Sequence, residues 1–435
     1  MWFDESVIYQ IYPLGFCGAL SGGTPEDHKI LKVIEFIPHI KKLGATCIMF
    51  NPLFACDYHG YDTRDFLTVD PRLGTNEDLK TVCKAIKDAG LKIMFDGVFN
   101  HVGRGFWAFQ DVKQNKWDSR YKEWFKISFD GNSGYDDGFW YEGWEGHYEL
   151  VKLNTWNGEV RDYIYQVMKN WVSEYDIDGL RLDVAYCLDG DFLKALRWYA
   201  SQVKEDFVLL GETLHGDYNR WMNDDACNSV TNYECYKGLH SSFNSSNMFE
   251  IAHSLQRQFG SEPWCLYTGK HLLSFADNHD VTRAYSILNN KDHIRCLYGM
   301  VFGMPGVPSV YYGSEWGIEG DKSWGDESLR PCVDTPVWNH LTDFISALCK
   351  AKTESKALNY GSYRNIIIQP KQLLFERKCD GNRVIVAINS DSSEFHAHFD
   401  AGCGRATDLI TGEMHDFGGG SVLEPYSVHF WECEQ

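Results

Sequence analysis

Asp178-Gly179-Leu180-Arg181-Leu182-Asp183-Val184-Ala185 decides how the rest of the chain is read. It has the look of a strand that leaves a core and delivers Arg181 and Asp183 to one surface. Alternate side chains share a face along an extended segment, so Arg181 and Asp183 point together while Leu180 and Leu182 point the other way. A guanidinium beside a carboxylate favours the ionised form of that carboxylate. Standing alone, the pair reads first as a structural ion pair at a strand end. Its meaning depends on what the remaining sequence places beside it.

Working outward, seven further runs read as strands: residues 7–13, 45–50, 91–95, 207–212, 229–233, 272–277 and 307–312. Amphipathic segments separate several of them. The first helix carries start signals at Thr24-Pro25-Glu26-Asp27, apolar residues Ile30, Ile34, Ile37 and Ile40 at helical spacing, and Gly44 as its stop. A second starts with Asn76 as its cap, buries Leu79, Val82, Ile86 and Ala89, and ends at Gly90. Strand–helix alternation builds a parallel sheet, and eight repeats predict an α/β fold of the (β/α)8 TIM-barrel type, with chemistry at the C-terminal strand ends. The expected catalytic barrel comprises residues 1–101 and 155–352. Residues 102–154, rich in Trp, Tyr, Gly and Asp, break the alternation and read as a small lobe over the barrel mouth. Residues 353–435 switch to short alternating runs separated by turns, the pattern of a C-terminal antiparallel β-sandwich domain.

Composition narrows the ligand. The 435 residues carry 41 Lys and Arg against 61 Asp and Glu, a net charge of -20, which argues against nucleic acid and against anionic membrane. A neutral ligand fits better, and aromatic residues at 15% of the chain suggest stacking platforms beside ordinary core. The lobe tryptophans Trp107, Trp117, Trp140 and Trp144 fit either role. No apolar run is long enough to span a bilayer. The 14 cysteines form no C-x-x-C pair or His-flanked cluster, so neither a zinc site nor a disulfide framework is expected. With no secretory signal legible at the N-terminus, free thiols in a reducing cytoplasm are the expectation.

The predicted strand ends gather Asp96, Asn100 and His101 from the third strand, Arg181 and Asp183 from the fourth, Glu212 from the fifth, and Asn278, His279 and Asp280 from the seventh. Asp96 and Asn100 read as scaffold. Glycoside hydrolysis passes through an oxocarbenium-like state, and one carboxylate nucleophile with one carboxylic acid is the minimal apparatus. Glu212 follows the apolar run Val208-Leu209-Leu210-Gly211, where partial burial favours the protonated acid, while Arg181 favours ionised Asp183.

These segments resemble the four blocks of family-13 glycoside hydrolases, the α-amylase superfamily, in the family's order: "DGVFNH" at 96–101, "GLRLDVA" at 179–185, "GE" at 211–212 and "FADNHD" at 275–280. Further similarity runs from "YQIYP" at Tyr9 through "DPRLGT" at Asp70 to "PGVPSVYYGSE" at Pro305. The resemblance implies Asp183 as nucleophile, Glu212 as general acid/base and Asp280 as the carboxylate that binds and distorts the sugar. It makes His101, Arg181 and His279 first-subsite ligands and Tyr61 in "HGYDTRDF" the aromatic platform beneath that sugar. "VKLN" at 151–154 is similar to a block of the neopullulanase and cyclomaltodextrinase branch, with Val151 in place of its proline. Asp326 and Arg330 then bind outer sugars.

The resemblance implies a retaining hydrolase of α-1,4 bonds in maltooligosaccharides or cyclodextrins. Val184, where strict α-1,4 enzymes commonly carry Thr, points to some α-1,6 cleavage. An α-1,6-glucosidase, a glucosyltransferase or a non-catalytic binding module stay open as alternatives. No organic cofactor is implied. Tyr186 and Cys187 stand where many α-amylases carry Lys-His for the leaving-group sugar and a structural calcium, so a metal site is not expected. The first strand begins at about Val7, without the branch's extra N-terminal domain, which leaves the oligomeric state open.

Overall fold

The computed structural model describes residues 1–434. Eight strands, β1 (Ile8–Ile11), β2 (Cys47–Phe50), β3 (Lys92–Gly97), β4 (Gly179–Leu182), β5 (Val208–Gly211), β6 (Ser229–Val230), β7 (Leu273–Phe275) and β8 (Val307–Tyr311), form one sheet with every neighbour parallel. The order runs β6-β5-β4-β3-β2-β1-β8-β7, and a parallel bridge between Thr231 and Leu273 joins its two ends, with the Asn232 amide donating to the Leu273 carbonyl at 2.9 Å. The predicted (β/α)8 barrel is therefore present; seven strands fall within the predicted runs, and β3 extends two residues beyond its run of 91–95, to Gly97.

Period-two alternation explains what fills the barrel. Ile8, Cys47, Met49, Met94, Val208, Leu210, Leu273 and Val307 pack with Phe3 as an apolar plug in the lower interior. Two residues further along the same faces the chain turns polar: Gln10 follows Ile8, Asn51 follows Met49, Asp96 follows Met94, Arg181 follows Gly179, and Glu212 follows Leu210. Outward-facing residues such as Tyr9, Ile48, Phe95, Leu180 and Leu209 join the large core under the surrounding helices.

Two helix starts differ from the sequence reading. Thr24 to Asp27 makes only a 3-10 turn, Pro25–Asp27, because His28 follows with φ 49°, and the helix proper is Lys32–Leu43. The second helix, Asn76–Asp88, is capped by Thr75, whose hydroxyl accepts the Asp78 amide while Asp78 accepts the Thr75 amide; Asn76 is its first residue, and its side chain instead accepts from Val69. Gly44 at φ 99° and Gly90 at φ 80° end the two helices as expected.

Between β3 and the helix Gly158–Tyr175, the chain forms a three-stranded antiparallel sheet (His101–Gly103, Gly143–Trp144, His147–Lys152) and the helix Trp107–Asn115. After the helix His340–Glu354 comes a six-stranded antiparallel sheet faced by a two-stranded ribbon, Phe395–Ala397 with Ser421–Leu423. Leu374, Ile385, Ala387 and Trp431 of the sheet pack against Ala397 and Leu423 of the ribbon, so the sandwich is lopsided. Its other face lies on the helix Ile294–Gly303, where a β-carbon at Gly299 would come within 2.6 Å of Val428.

Candidate active site

The polar ring at the top of the barrel opens into a cavity of about 540 Å³, within the range of small-ligand sites. Tyr61, His101, Asp183, Glu212, Asp280, Asp326 and Arg330 line it. Arg181 and His279 lie one layer down, almost wholly buried beneath these groups. All nine candidate residues therefore converge on one place, from six strand ends and loops.

Arg181 organises the floor. Its Nη1 lies 2.6 Å from Asp96 Oδ2 and 3.3 Å from Asp183 Oδ1, and its Nη2 lies 2.9 Å from Glu212 Oε1. The pairing follows from register, since Asp96 and Leu210 are the cross-strand neighbours of Arg181. The Arg181–Asp183 alternation is as read from sequence, but its consequence is different. One guanidinium faces three carboxyl groups, and burial, opposed by Arg181 and reinforced by Glu212 and Asp96, pushes Asp183 well above the usual carboxylate range. Arg181 alone does not hold Asp183 ionised. Burial likewise raises Asp96, although its Oδ2 also accepts from Asn51 and Tyr61 at 3.2 Å each, and its Oδ1 has no partner. The cluster holds its protons as a unit.

Glu212 is held at both oxygens. Besides Arg181 at Oε1, the backbone amide of Val184 donates to Oε2 at 2.9 Å. Val184 sits at φ 39°, a left-handed conformation that a β-branched residue rarely adopts.

Asp280 is the contrasting carboxylate. Burial pushes its acidity one way, but His279 Nε2 at 3.0 Å from Oδ2 and Arg330 Nη2 at 3.0 Å from Oδ1 outweigh it, leaving Asp280 well below the usual carboxylate range. Arg330, expected to reach outer sugars, is largely buried and also donates from Nε to the His279 carbonyl at 3.0 Å, with its guanidinium 4.6 Å from the Tyr12 ring centroid. The rings of Tyr12 and Tyr61 lie nearly parallel to His279, at centroid distances of 6.0 and 5.6 Å and interplanar angles of 12° and 11°. Its Nε2 contacts the Tyr61 hydroxyl and its Nδ1 meets Gln10 Nε2 at 2.9 Å. His101 Nε2 lies 3.8 Å from Asp183 Oδ2, and burial lowers this imidazole to about 3, so it is neutral at ordinary pH. Asn100 Nδ2 lies 3.1 Å from His101 Nδ1, which fixes the ring, a supporting place of the kind read for Asn100 and Asp96. Asp326 stands at the rim, 2.6 Å from Lys322 Nζ and 3.7 Å from Arg330.

Beneath the cavity, contacting His279, Asp96 and Arg330, lie buried residues the sequence did not single out. Gln10, Asn51 and Tyr12 are polar or aromatic at positions that the strand period sends inward or upward, a signal visible once β1 and β2 are known to be neighbours. Among the lobe tryptophans, Trp144 lines the cavity, stacked on His147 at 5.4 Å and tilted against His101 at 5.7 Å. Tyr186, which follows the same strand as Asp183, reaches Glu145 of the lobe at 3.4 Å. Among the described residues no group of three or more His, Cys, Asp or Glu has the arrangement of a metal site, and no helix is long and apolar enough to cross a membrane.

The chain is similar to known enzymes over nearly its whole length. The cyclomaltodextrinase of Thermoanaerobacter pseudethanolicus is 28% identical over 98% of this chain and 77% of its own length. The intracellular maltogenic amylase of Bacillus subtilis is 29% identical over 91% of this chain and 70% of its own. The solved structure of a cyclic α-maltosyl-(1→6)-maltose hydrolase from Arthrobacter globiformis superposes with a TM-score of 0.82 over the whole of both chains at 26% identity. The family description "Alpha amylase, catalytic domain" matches residues 10–360, which take in every strand of the barrel from Gln10 onward and each carboxylate placed above. With that match and this geometry together, the chain belongs to the α-amylase family and is a glycoside hydrolase of that family.

Proposed function

We propose that the protein is a retaining hydrolase of short α-glucans, maltooligosaccharides and cyclodextrins, cleaving α-1,4 bonds and admitting some α-1,6 bonds. The observation that carries the mechanism is the single guanidinium of Arg181 bound to both Asp183 and Glu212 at the floor of the cavity. Two carboxyls gathered by one such group favour the closer of the two glycosidase spacings, about 5 Å, at which one attacks the sugar directly, over the wider spacing of about 6.5–9.5 Å that leaves room for a water.

In this reading Asp183 is the nucleophile, Glu212 the general acid/base, and Asp280 binds the hydroxyls of the sugar under attack. The resting arrangement has to be rearranged first. Glu212 is held by the Val184 amide at Oε2 and by Arg181 at Oε1, and burial raises the Asp183 carboxyl beside it. When a glycosidic oxygen draws Glu212 away from Arg181, that guanidinium is left to Asp96 and Asp183. Glu212 gives its proton to the leaving glycosidic oxygen as the Asp183 carboxylate attacks the anomeric carbon and the bond between that carbon and the leaving oxygen breaks. Water, deprotonated by Glu212, releases the sugar with the configuration retained. Asp280, kept ionised by His279 and Arg330, stabilises the positive charge that develops on the ring.

Short glucans are favoured because the lobe hairpin brings Trp144, Glu145 and His147 over the cavity, and because the named relatives act on cyclomaltodextrins or are maltogenic. A cytoplasmic location agrees with 14 cysteines that pair nowhere in the described structure and with the intracellular relative. The test is product analysis on maltotriose, β-cyclodextrin, pullulan, panose and soluble starch, compared per cleavable bond. Short substrates should show the higher kcat/KM. A tenfold preference for starch, about 1.4 kcal/mol in the transition state, would replace this reading with an ordinary α-amylase.

A further inference from the structure

Tyr186 belongs to two hollows. On one side it lines the catalytic cavity, and on the other it lines a hollow of about 260 Å³ that also includes Trp156, Lys152 and Arg220. Lys126 in turn is shared by this second hollow and a third, of about 370 Å³, which holds Trp117, Phe129 and Asp130. The three are thus contiguous along one side of the lobe. Both indoles on this path are exposed, Trp156 at 64% and Trp117 at 63%, about as much as Trp198 and Trp324 elsewhere on the surface. Neither is a stray ring. Trp117 lies flat on Phe129, with centroids 4.2 Å apart and planes 26° apart, and the Lys122 ammonium stands 5.7 Å from its ring centroid. Trp156 is flanked by the Arg161 guanidinium 6.0 Å from its ring centroid.

A flat exposed aromatic face beside ammonium, guanidinium and carboxylate groups suits a pyranose. The C–H face of the sugar packs on the ring, while its hydroxyls both donate and accept at the rim. Isolated exposed tryptophans need no explanation, but two of them in linked hollows that begin at the wall of a glycosidase cavity do. Lys126 and Lys152 are held in place by Glu142, at 3.0 and 2.8 Å, so the polar rim is ordered before a ligand arrives.

We propose that this surface is an oligosaccharide-binding track, running from Tyr186 past Trp156 to the Trp117–Phe129 stack, that takes the part of an α-glucan chain extending away from the catalytic cavity. The proposal rests on the α-glucan reading above. It makes Trp156 and Trp117 determinants of chain-length preference, outside the reacting centre.

The test is calorimetric titration of the Asp183→Asn protein with maltoheptaose and with maltotriose, in backgrounds carrying Trp117→Ala, Trp156→Ala, both, or the corresponding Phe replacements. Each Ala change should weaken maltoheptaose binding by about fivefold and lower the ratio of maltoheptaose to maltotriose affinity, with Phe restoring most of it. An unchanged ratio in the double Ala variant, with circular dichroism showing an intact fold, would overturn the track. So would a change in sedimentation of the ligand-free protein without any change in maltoheptaose affinity, which would make the surface a contact between copies. Hydrolysis of the same two sugars by the unsubstituted protein separates the premises: failure to cleave either one defeats the α-glucan reading, whereas cleavage of both with an unchanged ratio defeats the track alone.

Discussion

The amide of Val184 donates to Oε2 of Glu212 at 2.9 Å, and it does so from a left-handed backbone at φ 39°. The residue after the candidate nucleophile thereby holds the candidate acid, and the strained turn is what aims the N–H across from β4 to the end of β5. Such a conformation costs on the order of 1–3 kcal/mol and persists where its surroundings fix it. The Val184 side chain meanwhile lines the cavity.

Replacing Val184 with Thr keeps the β-branched shape and the amide, and exchanges a methyl for a hydroxyl at the cavity wall. The variant should fold normally and cleave α-1,6 bonds less well relative to α-1,4 bonds. Initial rates on panose and maltotriose, measured side by side, check this. A panose-to-maltotriose ratio that stays constant would remove Val184 from the basis of linkage preference.

Asp183→Asn and Glu212→Gln should each lower kcat by about 10³-fold or more, and proton NMR of fresh product from the unsubstituted enzyme should show the α-anomer. Asp183→Asn should also stabilise the fold. The carboxyl of Asp183 is raised in the folded state, so from about pH 4 upward the unfolded chain ionises it more readily and folding loses stability. Removing the charge should raise Tm at pH 7 by about 1–3 °C, a gain that disappears as the pH falls to about 4. Calorimetry at the two pH values gives the answer.

Arg330→Met takes away the guanidinium that, together with His279, holds Asp280 ionised. Asp280 is depressed in the folded state, so its contribution is present above about pH 4 and is lost as the pH falls further through its folded value. The variant should be less stable than the parent by about 1–2 kcal/mol at pH 7, a figure kept small because the Asp280 side chain is 35% exposed. The gap should narrow only below about pH 4. Urea unfolding at pH 7 and pH 3 tests this, and kcat/KM should drop along with it.

Chelation should change neither Tm nor activity. The hollow beside Cys187, where the family resemblance would place a structural calcium, is lined by Lys126, Lys152 and Arg220 together with Asn100 and the single carboxylate of Asp189. Calcium seeks several oxygen ligands with negative charge, and three cationic side chains facing one carboxylate disfavour it. A fall of several degrees in Tm with EDTA, reversed by calcium, would contradict this.

The barrel was legible because eight apolar runs end in polar residues, and that change of character is itself the boundary between the plug around Met49 and Met94 and the ring of Asn51 and Asp96. The candidate site residues were legible because they cluster in short runs at those ends. What sequence could not supply was sharing. That Arg181 lies opposite both Asp96 and Leu210 is a matter of register between strands more than 80 residues apart for Asp96 and nearly 30 for Leu210, and only this register shows one guanidinium divided among three carboxyls. Arg330 was read as a rim residue because nothing local reveals that its loop folds back onto His279. Thr75 and Asn76 are both good caps by composition, and only the reciprocal bond with Asp78 separates them.

The bridge from Thr231 to Leu273 gives the barrel wall a seam, formed by its two shortest strands. Side chains lace it from inside: Asn278 Nδ2 donates to the Tyr233 hydroxyl at 2.9 Å, and Phe275 meets the Tyr233 ring at 5.0 Å. Around the barrel the seam lies between Glu212, which follows β5 one strand before it, and Asp280, which follows β7. The span between Glu212 and Asp280 therefore crosses the most thinly stitched part of the cylinder.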